Sequence, residues 1–279
     1  MALSIQSNMA SMSIQNQLSR SNNDLSTALE RLGSGFRINS AKDDAAGLQI
    51  ATRLSAQVRG QEAGIYNGNN AQSMMQTAEG AFEEMTNIAY RMKELATQGA
   101  SDTNGADEWA AQSSEYTALA AELTNIMDNT SFGDGTTLLD AAGKFGTGAV
   151  EFQVGASAAE TLDVDISVEL GNVTTAIGNA AAFTNVAEAQ TEIGNVDTII
   201  DEIGTARAEL GASMNRLDHT MTNVSNMKEN TQAAASQLMD ADFAAETSNM
   251  TKQQLLMNSG ISVLSTANST TQMIGSLLR

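Results

Sequence analysis

Side chains able to make or break bonds are few in this sequence, and none falls in a working arrangement. A histidine base needs a nucleophile and an orienting carboxylate. The one histidine, His219, stands instead between Asp218 and Thr220 in a polar helical stretch, where a solvated surface residue is the simpler reading. There is no cysteine, so thiolate nucleophiles, disulfides and thiolate metal sites are excluded. Asp163 with Asp165, and Asp240 with Asp242, could suggest divalent-cation ligation. Neither pair has the glycine and distal glutamate of a calcium loop, and the first lies on the wet face of a strand-like stretch. Gly146-Thr147-Gly148-Ala149-Val150-Glu151 half-matches a dinucleotide fingerprint but opens no helix. HExxH and Walker motifs are absent, and the 15 methionines fall mostly on helical stripes, where they pack rather than ligate. The sequence predicts no enzyme, no cofactor and no metal site.

The elements that would hold side chains in place are long and helical. Of 279 residues, 42% are hydrophobic but only 4% aromatic, and proline is absent. Average proline usage of about 5% would give roughly fourteen. That composition suits long helices packing through small and aliphatic side chains. The net charge is −19, from 14 basic and 33 acidic residues, which argues against gripping a phosphate backbone. Nearly all of it is central: residues 101–206 carry one lysine, Lys144, against 18 acids, whereas 1–100 and 207–279 each net −1. Like charges are tolerable on a solvated surface and costly in a packed one, so the ends suit burial against partners and the middle suits the outside. No secretory signal or run of about 18 apolar residues is present, so general secretion and membrane insertion are not expected.

Apolar residues at Ile5, Met9, Met12, Ile14, Leu18, Leu25, Leu29 and Leu32 have helical spacing, closed by Gly33-Ser34-Gly35. A second stripe through Leu54, Val58, Met75, Phe82, Met85, Met92 and Leu95 predicts a helix over about 44–99, and a third helix follows over about 106–129. Residues 130–170 read as a β-hairpin region, with short runs at 136–140 and 149–154 and an alternating strand over 161–169. Residues 170–184 read as a crossover. Val196, Ile203, Leu210, Leu217 and Val224 then recur every seven residues in a helix over about 185–235. Phe243, Met250, Met257, Leu264 and Leu278 keep the same interval, with Thr271 its polar member. Each terminal stripe is too narrow to stand alone, so the first and last helices are expected to pair antiparallel and to order fully when copies assemble. The expected fold class is mainly α: a long antiparallel coiled-coil or helical-bundle rod with a small β-hairpin region near the middle of the chain.

Several runs carry a family resemblance. Glu30 to Ile50, ERLGSGFRINSAKDDAAGLQI, closely resembles the N-terminal signature of bacterial flagellins. The likeness continues through Gln76 to Ala81, Phe152-Gln153-Val154-Gly155-Ala156, Gly211 to Leu217, Asp240 to Thr247 and the closing Ser276-Leu277-Leu278-Arg279. The chain resembles a short flagellin with only the conserved terminal core domains, since many flagellins insert outer domains where about fifteen residues stand here.

The resemblance implies an inner terminal-helix domain, 1–43 with 237–279, lining a filament lumen, and an outer core domain, 44–236. Leu18, Leu25, Leu32, Phe243, Met250, Met257, Leu264 and Leu278 would pack subunits, while Gln15, Asn16, Gln272 and Ser276 would face the lumen. It implies a filament subunit for swimming motility, outside the cell, without catalysis. Its partners would be copies of itself, a flagellar export chaperone and type III export apparatus, and cap and hook–filament junction proteins. Tyr90 to Gln98 also resembles the patch that Toll-like receptor 5 reads, with Arg91, Glu94, Leu95 and Glu115 as contacts, although that helix must pack in any case. Tyr90 and Lys93 replace a glutamine and an arginine of that pattern, and Ser269-Thr270-Thr271-Gln272 replaces Gln-x-Pro-Gln. The alternatives are a hook–filament junction protein, which should match the two signature runs less well, and a secreted coiled-coil module that binds partners.

Overall fold

The computed structural model describes residues 8–277, apart from the side chains at 271, 272 and 274–277. The described chain is mainly helical and divides into two compact units, Met1–Ala56 with Asn230–Arg279 and Gln57–Glu229. The boundaries fall inside two helices, α2 (Ala45–Gly99) and α5 (Val186–Met239).

The first unit is built on α1 (Met9–Ser34) and α6 (Phe243–Leu277). Asn8 caps α1 by accepting the Ser11 amide at 3.1 Å, which satisfies one of the donors a helix start leaves free. Gly35, at φ 77°, closes it in the left-handed conformation that glycine adopts without strain. A tight turn leads to α2: the Asp43 carboxylate accepts the amides of Ser40 (3.0 Å) and Asn39 (3.1 Å). Those bonds, the Ser40 amide first, hold Asp43 below the usual carboxylate pKa. The SAKDD run is therefore a helix-entry turn. Ahead of α6, Asp242 Oδ1 accepts the Ala244 and Ala245 amides.

In the second unit α2 and α5 run antiparallel, and Glu79 accepts Arg207 at 2.7 Å while Glu62 accepts Lys228 at 3.1 Å. Between the helices Met75, Phe82, Met85 and Met92 lie fully buried with Val196, Ile203, Leu210 and Leu217. Each such side chain contributes roughly 1.5–3 kcal/mol relative to exposure, so stability concentrates here. The packed helix α3 (Ala106–Asn129) adds Tyr116, Leu123 and Met127 to that core.

The β region consists of two separate antiparallel ladders. β1 (Ser131–Phe132) pairs with β2 (Thr136–Thr137), and β3 (Val150–Gln153) pairs with β4 (Thr161–Val164) in the register Val150↔Val164 to Gln153↔Thr161. The second ladder lies against α2 where Gly64 lets the chain approach: a Cβ there would come 2.4 Å from the Val154 carbonyl oxygen. Three expectations are corrected. The strand expected over 161–169 stops at Val164, and the crossover expected over 170–184 is instead mostly α4 (Ser167–Gly178). Asp165 Oδ1 accepts both the amide and hydroxyl of Ser167, at 3.1 and 2.7 Å, and turns the chain into that helix. Leu162, Val164 and Ile166 are buried, whereas Val168 is 68% exposed, so the alternation ends where the helix begins. The run at 136–140 likewise keeps only Thr136–Thr137 as strand.

Candidate functional site in the terminal helix pair

Helices α1 and α6 lie antiparallel, held at one end by Asn8 Nδ2 donating to the Ala267 carbonyl (3.2 Å) and Ser11 Oγ to Asn268 (3.1 Å). Nearer the other end Gln253 donates to Asp24 at 3.3 Å and Arg31 to Glu246 at 2.9 Å. The less exposed positions on α1 include the series Ser11, Ile14, Leu18, Ser21, Leu25, Ala28 and Leu32, with Thr27 and Arg31 beside it. On α6 they are Glu246, Met250, Gln253, Met257, Gly260, Leu264 and Ala267. Both series step by three and four, as the facing positions of a coiled coil do. The backbones come close at Gly260, where a Cβ would meet Leu18 Cδ2 at 2.8 Å.

Six expected packing residues, Leu18, Leu25, Leu32, Met250, Met257 and Leu264, are therefore half-buried in a seam within the chain. Phe243 is 59% exposed, because it is the first residue of α6 and α1 ends at Ser34, leaving no helical turn to cover it. Leu278 lies outside the described residues, as does Ile5, and the side chains of Gln272 and Ser276 are likewise undescribed. Gln15 and Asn16 are exposed. Away from the seam the pair displays a second set of large apolar side chains, including Met12, Leu29, Leu255, Leu256, Ile261 and Val263, each between 43 and 65% exposed. An apolar display of this kind is not expected on a surface that stays in water.

Charge divides with the units. The residues of the first carry seven basic and seven acidic groups, and those of the second carry seven basic and 26 acidic. The terminal pair therefore offers apolar and uncharged polar contact area with little electrostatic opposition to self-association.

Among the residues of the receptor-like patch, Arg91 Nε and Nη2 donate to Glu115 Oε1 at 3.0 and 2.8 Å, tying α2 to α3. Arg91 Nη1 donates to Glu94 at 2.9 Å. These bonds, Glu115 first, raise the arginine's pKa further and keep it charged. Arg91, Glu94 and Glu115 are brought together at the surface, but Leu95 is only 2% exposed and belongs to the core. Lys93 pairs with Asp197. Sequence reasoning missed Arg31–Glu246, although an ionisable residue four positions before Met250 stands at a seam position and asks for a partner. His219 is exposed, and no group of three or more potential metal ligands occurs among the described residues. No helix among them is long and apolar enough to cross a membrane.

Comparison with known proteins bears on the same segments. Residues 5–144 match the model of the bacterial flagellin N-terminal helical region, and residues 193–278 match that of the C-terminal helical region. A flagellin of Halalkalibacterium halodurans is 36% identical over 276 residues, covering 99% of both chains. The B-type flagellin of Pseudomonas aeruginosa is 50% identical over 166 residues, which are 60% of this chain and 33% of that one. Among solved structures, the crystal structure of Bacillus cereus flagellin matches 61% of this chain and 94% of its own, with a TM-score of 0.50 and 32% identity.

Proposed function

The chain belongs to the bacterial flagellins, structural proteins that polymerise into the flagellar filament, and within that role we propose that the α1–α6 pair is its assembly element. The apolar side chains that the pair leaves exposed carry this reading, because burial against neighbouring copies would remove them from water. In it, 1–43 with 237–279 form the inner layer and 44–236 the outer core. The seam leucines and methionines set the pair's shape, and Phe243 and Leu278 reach neighbouring copies. The acidic region would stay toward solvent, in a filament outside the cell. Export would run through a type III apparatus with a dedicated chaperone, and growth would occur between a hook–filament junction and a cap. The hook–filament junction alternative is disfavoured by full-length similarity to a flagellin.

Electron microscopy of the purified chain after seeding tests this proposal. The intact chain should give long filaments, and a chain lacking 240–279 should give none. Ile261→Asp, on the exposed face, should lower filament yield sharply while leaving the helix content of the soluble chain unchanged. Ile261→Asp filaments as abundant as the parent's would remove the α6 face from the interface. The clustering of Arg91, Glu94 and Glu115 supports a second reading, a surface for Toll-like receptor 5 made of those charges without Leu95. Reporter cells that stay silent toward the soluble chain would dispose of it.

A further inference from the structure

The α1–α6 seam is built mostly of small and aliphatic side chains repeating every seven residues, so sliding one helix by a heptad exchanges similar residues. Two features break that degeneracy. Glu246 occupies a seam position, is 9% exposed, and meets Arg31 at 2.9 Å, the one ion pair between the two helices among the described residues. Gly260 leaves the hollow that Leu18 fills. A seven-residue slip would bring Gln253 or Ala267 to that hollow and leave the Glu246 carboxylate without its cation. Breaking a shielded ion pair by removing one partner is far more costly than never having built it. At the entrance to the pair, Arg37 N donates to the Met239 carbonyl at 2.6 Å and Ala241 N to the Gly35 carbonyl at 2.9 Å, so the two chains arrive already juxtaposed.

We propose that Arg31 and Glu246 are positioning residues that carry this juxtaposition into the helices and set the register of the terminal coiled coil. The inference rests on the filament reading in one respect only: register matters because every copy must present the same apolar face to its neighbours. A polar or ionic group in a coiled-coil seam is a well-attested register device.

The test uses the full chain, which has no cysteine of its own. Leu18→Cys with Gly260→Cys reports the native register, while Leu18→Cys with Gln253→Cys or with Ala267→Cys reports slips of one heptad. Each reporter is combined with Arg31→Glu, with Glu246→Arg, or with both. Either single reversal should reduce native-register cross-linking at least about tenfold and raise the slipped products, with filament yield falling in parallel. The double reversal should restore both to within about threefold. Unchanged cross-links in the single reversals, or no recovery in the double, would overturn the proposal, leaving the backbone contacts at 35–37 and 239–241 to fix register alone. A parent chain that never forms filaments would instead sink the assembly reading, and the register would still be read from cross-links in the soluble chain.

Discussion

Tyr116 is the residue at which burial and hydrogen bonding act together most strongly. Its ring is fully buried, meets Phe183 edge-on at 5.6 Å, and its hydroxyl donates to Glu192 Oε2 at 2.8 Å. Glu192 also accepts the Ala181 amide at 3.1 Å and Asn195 Nδ2 at 3.0 Å, so this 5% exposed carboxylate is well supplied with donors. Burial first, then the bond to Glu192 and its charge, push the Tyr116 pKa far above the ordinary value. The folded state thus favours the neutral phenol. Stability from that preference is complete below the unfolded pKa of about 10 and is lost as pH rises beyond it, by up to about 1.4 kcal/mol per pH unit. Urea unfolding between pH 8 and about 11.5 should show this fall. Tyr116→Phe should cost about 1.5–3 kcal/mol at neutral pH and flatten the alkaline limb. An unchanged slope in the variant would assign the limb to other groups. None of this was legible beforehand, because Tyr116 and Glu192 lie 76 positions apart and sit on different helices without any local pattern joining them.

At the scale of elements, stripes of helical spacing revealed α1 and α2 and period-seven stripes revealed α5 and α6, and the helices expected over 44–99, 106–129 and 185–235 reappear within a few residues of those ends. Long helices are legible because the same burial signal repeats over many turns. Residues 161–178 were not, since Leu162, Val164 and Ile166 continue a strand pattern that one side-chain turn at Asp165 interrupts. Phe243 was misleading for a related reason: its sevenfold spacing to Met250 is real, yet α1 stops before it can cover that position. Contacts also decide what a glycine in a helix is for. Glycine to alanine inside an exposed helix stabilises by roughly 0.5–1 kcal/mol. Gly80→Ala on α2 meets nothing within 4 Å and should raise the midpoint accordingly. Gly64→Ala on the same helix places its Cβ 2.4 Å from the Val154 carbonyl oxygen and 2.6 Å from the carbonyl carbon, so backbone must move. It should lower stability by about 1–3 kcal/mol despite its better helix propensity. Thermal melts of the two single variants give opposite signs if β3 and its following turn rest on α2. Equal shifts would mean that they do not.

Across the whole molecule, the division of charge was readable from the sequence because it needs only counting, whereas which surfaces it opposes required the fold. The residues of the first unit sum to zero and those of the second to −19, so the apolar terminal pair can meet its like while the remainder of each copy repels the next. Repulsion between solvated charges is screened over a Debye length of about 30 Å at 0.01 M salt and about 8 Å at 0.15 M. Raising sodium chloride across that interval should shorten the lag before filament growth and lower the concentration at which filaments persist. The gain should level off once the screening length falls below the spacing of surface charges, because apolar contacts depend little on salt at these concentrations. Light scattering from seeded growth across the series measures both effects. If the lag lengthens with salt, attractive ion pairs between copies outweigh their net repulsion. The acidic surface would then itself be contact area, met by basic groups such as Arg20, Arg53 or Arg59 of a neighbouring copy. Charge neutralisation at those three positions would separate that outcome from simple screening, since it would abolish the salt effect in one case and leave it intact in the other.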